Sequence, residues 1–471
     1  MLRTLVDTST DALRFTVVAG FLLVGALAPA TASGQRLPQG ALGGGCNPGE
    51  FALSSPLLRC GADGLFRYAL PEEMPLAPEG GFTARPAWFP PLSQVFNAPN
   101  APACPLTGRV TFTSPVIEAG DLLAIIPQGM LVADHVTPID HGYIGVRPLA
   151  TARANRTEAD YVPVRTPADA DVIEVSLLGN NPRSIRVVMA HGCETYSIFM
   201  VLNRVSGALA HLQDELLARG SLRPGVRVLA GEEFGRQRDN PLDFSVHDGA
   251  AWLSGFVSPF AYTSAESWKP YTVDPWPYFS PDLAALYTSQ MQRLVEPRWG
   301  RIDLDVRGTA AGNWFLEGTL GYSGQLVETV RTATGPLRGG SVAGKSTYAW
   351  SHLALVPHWV QPSRWIFSTG WFADERGDPR QLLIDVAAGQ PAPDALTAAS
   401  GPVVYRLRGW NASTPAVSEA PYPAGYDLVP RDTAGFAAIQ VHGDAISVEV
   451  FPGSTPPAFT GFSANRRTYR R

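Results

Sequence analysis

The sequence predicts an all-β, mainly antiparallel protein. Short apolar runs bounded by Gly and Pro follow one another from Thr107 to the C-terminus. Helical spacing of apolar residues stands out in one stretch, where Leu209, Leu212, Leu216 and Leu217 recur and Gly220 is a natural stop. The chain is long enough for two or more domains, and a content of 45% hydrophobic and 17% charged residues supplies a sizeable core.

Taken in order, residues 1–33 read as a secretory signal peptide. Arg3 and Arg14 flank a mixed first segment, Phe15–Leu27 is an apolar run, and Ala30-Thr31-Ala32-Ser33 offers small residues for cleavage. The run is short and Gly-broken for a membrane span, although an uncleaved anchor is the alternative. No later stretch is long and apolar enough to span, so no membrane span is expected after cleavage, and the mature chain is expected to be secreted or periplasmic. Residues 34–106 are rich in Pro and Gly and read as an irregular arm. In residues 107–262, strands are expected at Val110–Phe112, Leu122–Ile126, Asp171–Val175 and Ile185–Met189, with strand and turn chemistry over Gly225–Phe234. Residues 263–299, aromatic and Pro-rich, read as a connector packed on that domain, with a short helix over Leu283–Leu294. From residue 300 to 471 a β barrel or sandwich is expected. Ile302, Leu304 and Val306 alternate with Asp303, Asp305 and Arg307, the period of a half-buried strand. Similar runs lie at Trp365–Phe372, Val403–Trp410 and Ile446–Phe451.

The net charge of −5 argues against a general nucleic-acid binder. Lys269 and Lys345 are the only lysines, which reads as coding bias toward Arg. Cys46, Cys60, Cys104 and Cys193 are the disulfide candidates, and an even count in an exported chain permits two bridges. Cys46 with Cys60 would close a short loop, Cys104 with Cys193 would pin the arm to the central domain, and buried free thiols are the alternative.

Three segments in fixed order carry the functional signal: Asp134-His135-Val136-Thr137-Pro138-Ile139-Asp140-His141, Ala190-His191-Gly192-Cys193-Glu194-Thr195-Tyr196, and Pro241-Leu242-Asp243-Phe244-Ser245-Val246. With Val164–Ile173 and Gly231-Glu232-Glu233-Phe234-Gly235 between them, this order resembles the lysostaphin-type zinc endopeptidases, which cut cell-wall peptides. The resemblance covers about residues 107–262 and implies a small antiparallel β domain, a zinc ion, and a cell-wall peptide or glycan as partner.

Zinc catalysis needs three protein ligands, an open position for water, and a neighbouring proton-transfer group. The resemblance places metal ligands at His135, Asp140 and Asp243, with His141 as an alternate, but His135 and Asp140 stand one residue too far apart. The two family histidines that move protons align with Val201 and Pro241. His191 and His247 are the remaining weak candidates for a base. Two readings follow, a degenerate site in a binding or structural module, or an active zinc endopeptidase with shifted geometry. Against both stand ordinary structural roles: a satisfied His191, loop hydrogen bonds at Asp134–His141, and a surface carboxylate at Asp243.

Gly339–Ser346 fits the phosphate-loop pattern G-x-x-x-x-G-K-S. It lacks a buried strand before it and a helix after it, so a Gly-rich hairpin is expected and no nucleotide. Gly312-Asn313-Trp314 leaves a ligand-carrying barrel as a third possibility, to be marked by a large apolar cavity within 300–471.

Overall fold

Alternation of apolar side chains decides which face of each strand is buried, and most strands here are buried on both faces of their sheet. The computed structural model describes residues 37–96, 109–147, 157–335, 344–412 and 427–471, apart from 55, 76, 79–80, 158–159, 180, 193, 239–240 and 346. The signal-peptide segment, Cys104, Cys193 and most of the phosphate-loop-like stretch therefore lie outside the described residues.

The arm carries three short strands, β1 (Phe51–Ala52), β2 (Leu58–Cys60) and β3 (Phe66–Tyr68), in one antiparallel sheet. Cys46 and Cys60 form the expected disulfide. The central region contributes β4 (Leu122–Ile126), β5 (Gly142–Val146), β6 (Val162–Arg165), β7 (Ala170–Leu178), β8 (Asn181–Ala190), β9 (Thr195–Leu202), β10 (Arg204–Val205), β11 (Ser221–Leu222), β12 (Val226–Val228), β13 (Glu233–Gln237), β14 (Leu242–Asp248) and β15 (Thr272–Val273). Nine of these form one sheet along the path β11-β7-β8-β9-β14-β5-β4, with β12 on β7 and β15 on β14. A smaller sheet runs β10-β13-β6. Val110 and Thr111 do not form the strand expected there; Phe112 makes only an isolated parallel bridge to Phe279.

Cross-strand register sorts the sheet into two faces, because paired residues in an antiparallel ladder point the same way. Leu242, Phe244 and Val246 pair with Ile144, Phe199 and Ser197 on one face. That face packs against the expected helix and the connector: Leu209, Leu212 and Leu216 are buried there with Trp276, Phe279, Tyr287 and Trp299. The helix Gln213–Arg219 ends at Gly220 in the left-handed conformation, and Leu217 faces out. The connector helix spans Pro281–Ser289, stopping short of Leu294, which is exposed. The other face, with Tyr196, Ile198 and Val188, is covered by Phe89, Leu92 and Phe96 of the arm.

The C-terminal region is a closed antiparallel barrel of β16 (Gly312–Leu316), β17 (His352–Pro357), β18 (Trp365–Thr369), β19 (Arg380–Asp385), β20 (Val403–Ala412), β21 (Leu428–His442), β22 (Ala445–Pro452) and β23 (Arg467–Arg470). Eight strands enclose a space that side chains can fill, and they do: Trp314, Leu355, Phe367, Tyr405, Ile439 and Tyr469 are among the buried interior residues. The opposite faces of β17–β19, with Val356, Ile366 and Leu383, pack on Ile126 and Leu131 of the central region.

Ile302–Arg307 is not a strand. The Asp303 carboxylate accepts the Gly255 N–H at 3.0 Å, and that of Asp305 accepts Val257 N–H at 2.9 Å and Asn313 N–H at 2.7 Å. The two aspartates of the alternation thus serve half-buried or buried backbone donors instead of water, while Arg307 is exposed. The segment after Lys345 forms one 3-10 turn, Tyr348–Ser351, and then β17, so no helix begins there as a phosphate loop requires.

Gly142 permits the connector to dock. A Cβ at that position would lie 2.3 Å from the Trp299 ring and 2.6 Å from the Ile126 carbonyl. Gly142→Ala is therefore expected to cost about 1–3 kcal/mol or more in urea unfolding. Gly120→Ala, whose Cβ meets nothing within 4 Å, should stay within about 0.5 kcal/mol of the parent.

Candidate functional site

The arm-covered face of the sheet carries the polar side chains that the sequence singles out. Asp243, Ser245 and His247 alternate along β14 and pair with Met200, Ile198 and Tyr196 of β9, while Asp243 also faces Tyr143 of β5. Asp140 and His141 come from the turn that leads into β5, so the β5–β14 pairing brings them to Asp243.

His141 sits between two carboxylates. Its Nδ1 lies 3.2 Å from Asp140 Oδ1 and its Nε2 3.4 Å from Asp243 Oδ2. Asp140 also accepts the Trp268 indole N–H at 2.6 Å and lies 3.8 Å from Lys269 Nζ. Lys269 in turn reaches Glu266 at 3.1 Å and stands 5.0 Å above the Tyr322 ring. All of this is enclosed: Asp140, His141, Asp243 and Lys269 are 5%, 4%, 7% and 2% exposed.

Burial opposes every charge here, and the outcome depends on the partners. Burial works to raise the Asp140 carboxyl, but the Lys269 ammonium and the His141 hydrogen bond outweigh it and hold it well below the usual range. For His141, burial is outweighed by Asp243 and Asp140, which raise it. For Lys269, burial is outweighed by Asp140 and Glu266, which keep it charged. Asp243 is pushed up to about 6 by burial, with the His141 charge pulling the other way. Lys269 is thus held charged, and Asp140 and His141 are each shifted toward their charged forms, with Glu266 at the half-buried rim.

The other sequence candidates take different places. His135 is half-buried with its ring 5.7 Å from that of His141. Burial pushes its imidazole down to about 3. His247 shares the face of Asp243 but is occupied, with Nε2 2.9 Å from Ser245 Oγ and Nδ1 3.3 Å from Thr272 Oγ1. His191 is on the opposite face. It bonds Ser197 at 2.7 Å and the Asp169 carbonyl at 3.2 Å and packs on Phe112. Val201 holds a left-handed φ of 55°, a costly conformation for a β-branched residue, where the β8–β9 register shifts.

A tetrahedral zinc needs three protein ligands and, for catalysis, an open position. In this arrangement both Asp140 oxygens are engaged by His141, Lys269 and Trp268. Among the described residues no three His, Cys, Asp or Glu side chains are grouped to hold a metal ion. Two buried atoms nevertheless lack hydrogen-bond partners, His141 Nε2 and Asp243 Oδ1.

The cluster also rests on residues that motif reading passed over: Glu266, Trp268 and Lys269 of the connector, and Phe96 of the arm, which stacks on Trp268 at 5.9 Å. The available signal was Lys269 itself, one of two lysines among 37 basic residues.

No protein-family model matches the chain, and no curated protein matches it. Among solved structures, Csd3 from Helicobacter pylori is similar over 30% of this chain and 33% of that chain, with 15% identity and a TM-score of 0.19. The chain spans about a third of that protein's length, and a likeness this slight carries no argument about function.

Removing Lys269 should expose how much the network depends on it. Lys269→Met leaves the Asp140 carboxylate buried without its ammonium and is expected to cost about 3–5 kcal/mol in chemical denaturation. Asp140→Asn added to it should recover part of that loss, and a strictly additive double variant would show that the pair does not interact.

Acid should also unfold the protein early. His191 and His247 are held down to about 4, and His352 and His358 to about 3, in each case by burial, against an ordinary value of 6.5. The unfolded chain takes up these protons as the pH falls through 6.5, while the folded chain takes them up only near 4 and 3, so acid favours unfolding. His135 acts in the same direction. Asp243, raised from 3.8 to about 6, acts oppositely between those values, and the raised His141, Asp274 and Asp305 act with it, against five lowered histidines. The thermal midpoint is expected to fall steadily from pH 7 to pH 4; a flat profile would refute it.

Proposed function

We propose that this protein is an extracytoplasmic binding or structural module, its central β domain retaining the plan of a zinc peptidase without the catalysis. The observation that carries this reading is the Lys269 ammonium, buried against Asp140 where a peptidase would need an accessible metal and water. Phe96 packs against His247 and Trp268, and Asp243 and His247 are buried, which leaves little of either open to a peptide. Both positions aligned with the family's proton-transfer histidines, Val201 and Pro241, lack a titratable side chain.

Export is supported by the signal-like N-terminus and by the Cys46–Cys60 disulfide. Among the described residues no helix is long and apolar enough to cross a membrane. The ligand classes this reading implies are cell-wall peptide and glycan.

One observation favours the rival, an active zinc endopeptidase. The unpartnered His141 Nε2 and the Asp243 carboxylate stand 3.4 Å apart. That separation resembles the roughly 3.3 Å between two ligands held about 2.0–2.1 Å from one tetrahedral zinc.

Metal analysis of the purified mature chain, beside Asp140→Ala, separates the two. The expected result is no retained zinc in either and no cleavage of cell-wall peptide. Stoichiometric zinc in the parent, lost in Asp140→Ala and accompanied by peptide cleavage, would establish the endopeptidase instead.

A further inference from the structure

A cleft of about 470 Å³ lies on the outside of the barrel, between residues Leu131 and Val132 of the central region and strands β19, β20 and β21. That volume falls within the range of small-molecule sites, about 300–1,000 Å³. The cluster around Lys269 takes no part in it.

Three features of the barrel wall build this cleft. First, the β20–β21 ladder slips twice. Leu407 pairs with Gly435, Arg408 with Thr433, and Trp410 with Pro430. Each slip leaves residues of β21 unpaired, and four consecutive residues, Arg431 to Ala434, line the cleft. A regular strand would send alternate residues to opposite sides. Bulges re-aim side chains and gather beside functional sites. The Arg408 guanidinium donates to the Arg431 carbonyl at 2.7 Å and fixes the distortion.

Second, Gly409 stands within β20 at the cleft. Among the described residues, a Cβ there would meet only the Arg431 side chain, at 3.6 Å and beyond, so the backbone has room for a larger residue that the sequence does not place. Glycine inside a strand marks a bulge or a close approach by a ligand. Third, the half-buried Trp410 indole forms one wall, against the edge of His358 at 6.3 Å, and the exposed Arg431 and Asp432 stand beside it.

We propose that this cleft binds a sugar ring of a neutral amino-sugar glycan. A flat aromatic face suits the C–H face of a pyranose, and adjacent donors and acceptors suit its hydroxyl and amide groups. Arg431 and Asp432 cancel in charge, which disfavours an anionic ligand, and their presence disfavours a purely apolar one. The proposal deepens the binding-module reading and rests on it for the existence of a ligand.

The test is calorimetric titration of the full mature chain with a tetramer of N-acetylglucosamine and, separately, with an alanine-glutamate-lysine-alanine peptide. Binding of the tetramer is expected, weakened about tenfold or more by Trp410→Ala and by Gly409→Leu, which fills the cleft, and more modestly by Asp432→Asn. Thermal unfolding of each variant verifies the fold, and Asp432→Asn, at an exposed position, serves if Trp410→Ala does not fold. Tetramer binding unchanged in folded Gly409→Leu would overturn the cleft while leaving the binding-module reading intact. Peptide binding without tetramer binding would do the same. Binding of neither probe would overturn the proposal and count against the reading beneath it.

Discussion

The buried ammonium of Lys269 is the constraint on which the arrangement of the regions depends. It belongs to the connector, pairs with Asp140 on the turn into β5, and lies over Tyr322 in the segment after the first barrel strand. Removing an ion from water costs several kcal/mol, recovered only when its partners are all in place. The central sheet, the connector and the lead-in to the barrel must therefore assemble in one relative register. Apolar packing across the same junctions, Ile126 and Leu131 on the barrel wall and Ile302 with Phe315 and Tyr322, tolerates small displacements better than an ion pair does.

The strands were legible where alternation reports burial directly. Ile446, Val448 and Val450 point into the barrel and their neighbours do not, which is the pattern read at Ile446–Phe451. The same rule failed at Ile302–Arg307, because alternation cannot distinguish a carboxylate facing water from one facing a buried N–H. Asp140, His141 and Asp243 were legible as a group through the order of the motifs, although the pairing that joins them runs through His141 rather than His135. Trp268 and Lys269 were not, since the Trp268 bond to Asp140 spans 128 positions of the chain and no local pattern encodes it. A lysine kept in an otherwise Arg-based chain was the one trace: a compact ammonium suits a point-like pocket beside a carboxylate where a planar guanidinium does not.

The barrel shows how one architecture admits two uses. Eight strands can enclose a small ligand or be filled by their own side chains. Here Trp314, Phe367, Tyr405 and Tyr469 are among the side chains that fill the interior. On the outer wall, regular pairing offers a flat surface. The slipped β20–β21 ladder breaks that flatness beside Trp410, at the edge of the contact with the central region.

On the non-catalytic reading, the charge balance of a metal site is met without a metal's chemistry. Two buried carboxylates, Asp140 and Asp243, require about two positive charges nearby, whatever their source. A divalent ion supplies them from one point and leaves a coordination position for polarised water. The Lys269 ammonium supplies positive charge from a side chain, with His141 shifted toward its charged form beside it, and neither polarises a water as a Lewis acid would. Val201 and Pro241, at the positions aligned with the proton-transfer histidines, carry no titratable side chain, so the loss of proton transfer and the placement of Lys269 point the same way.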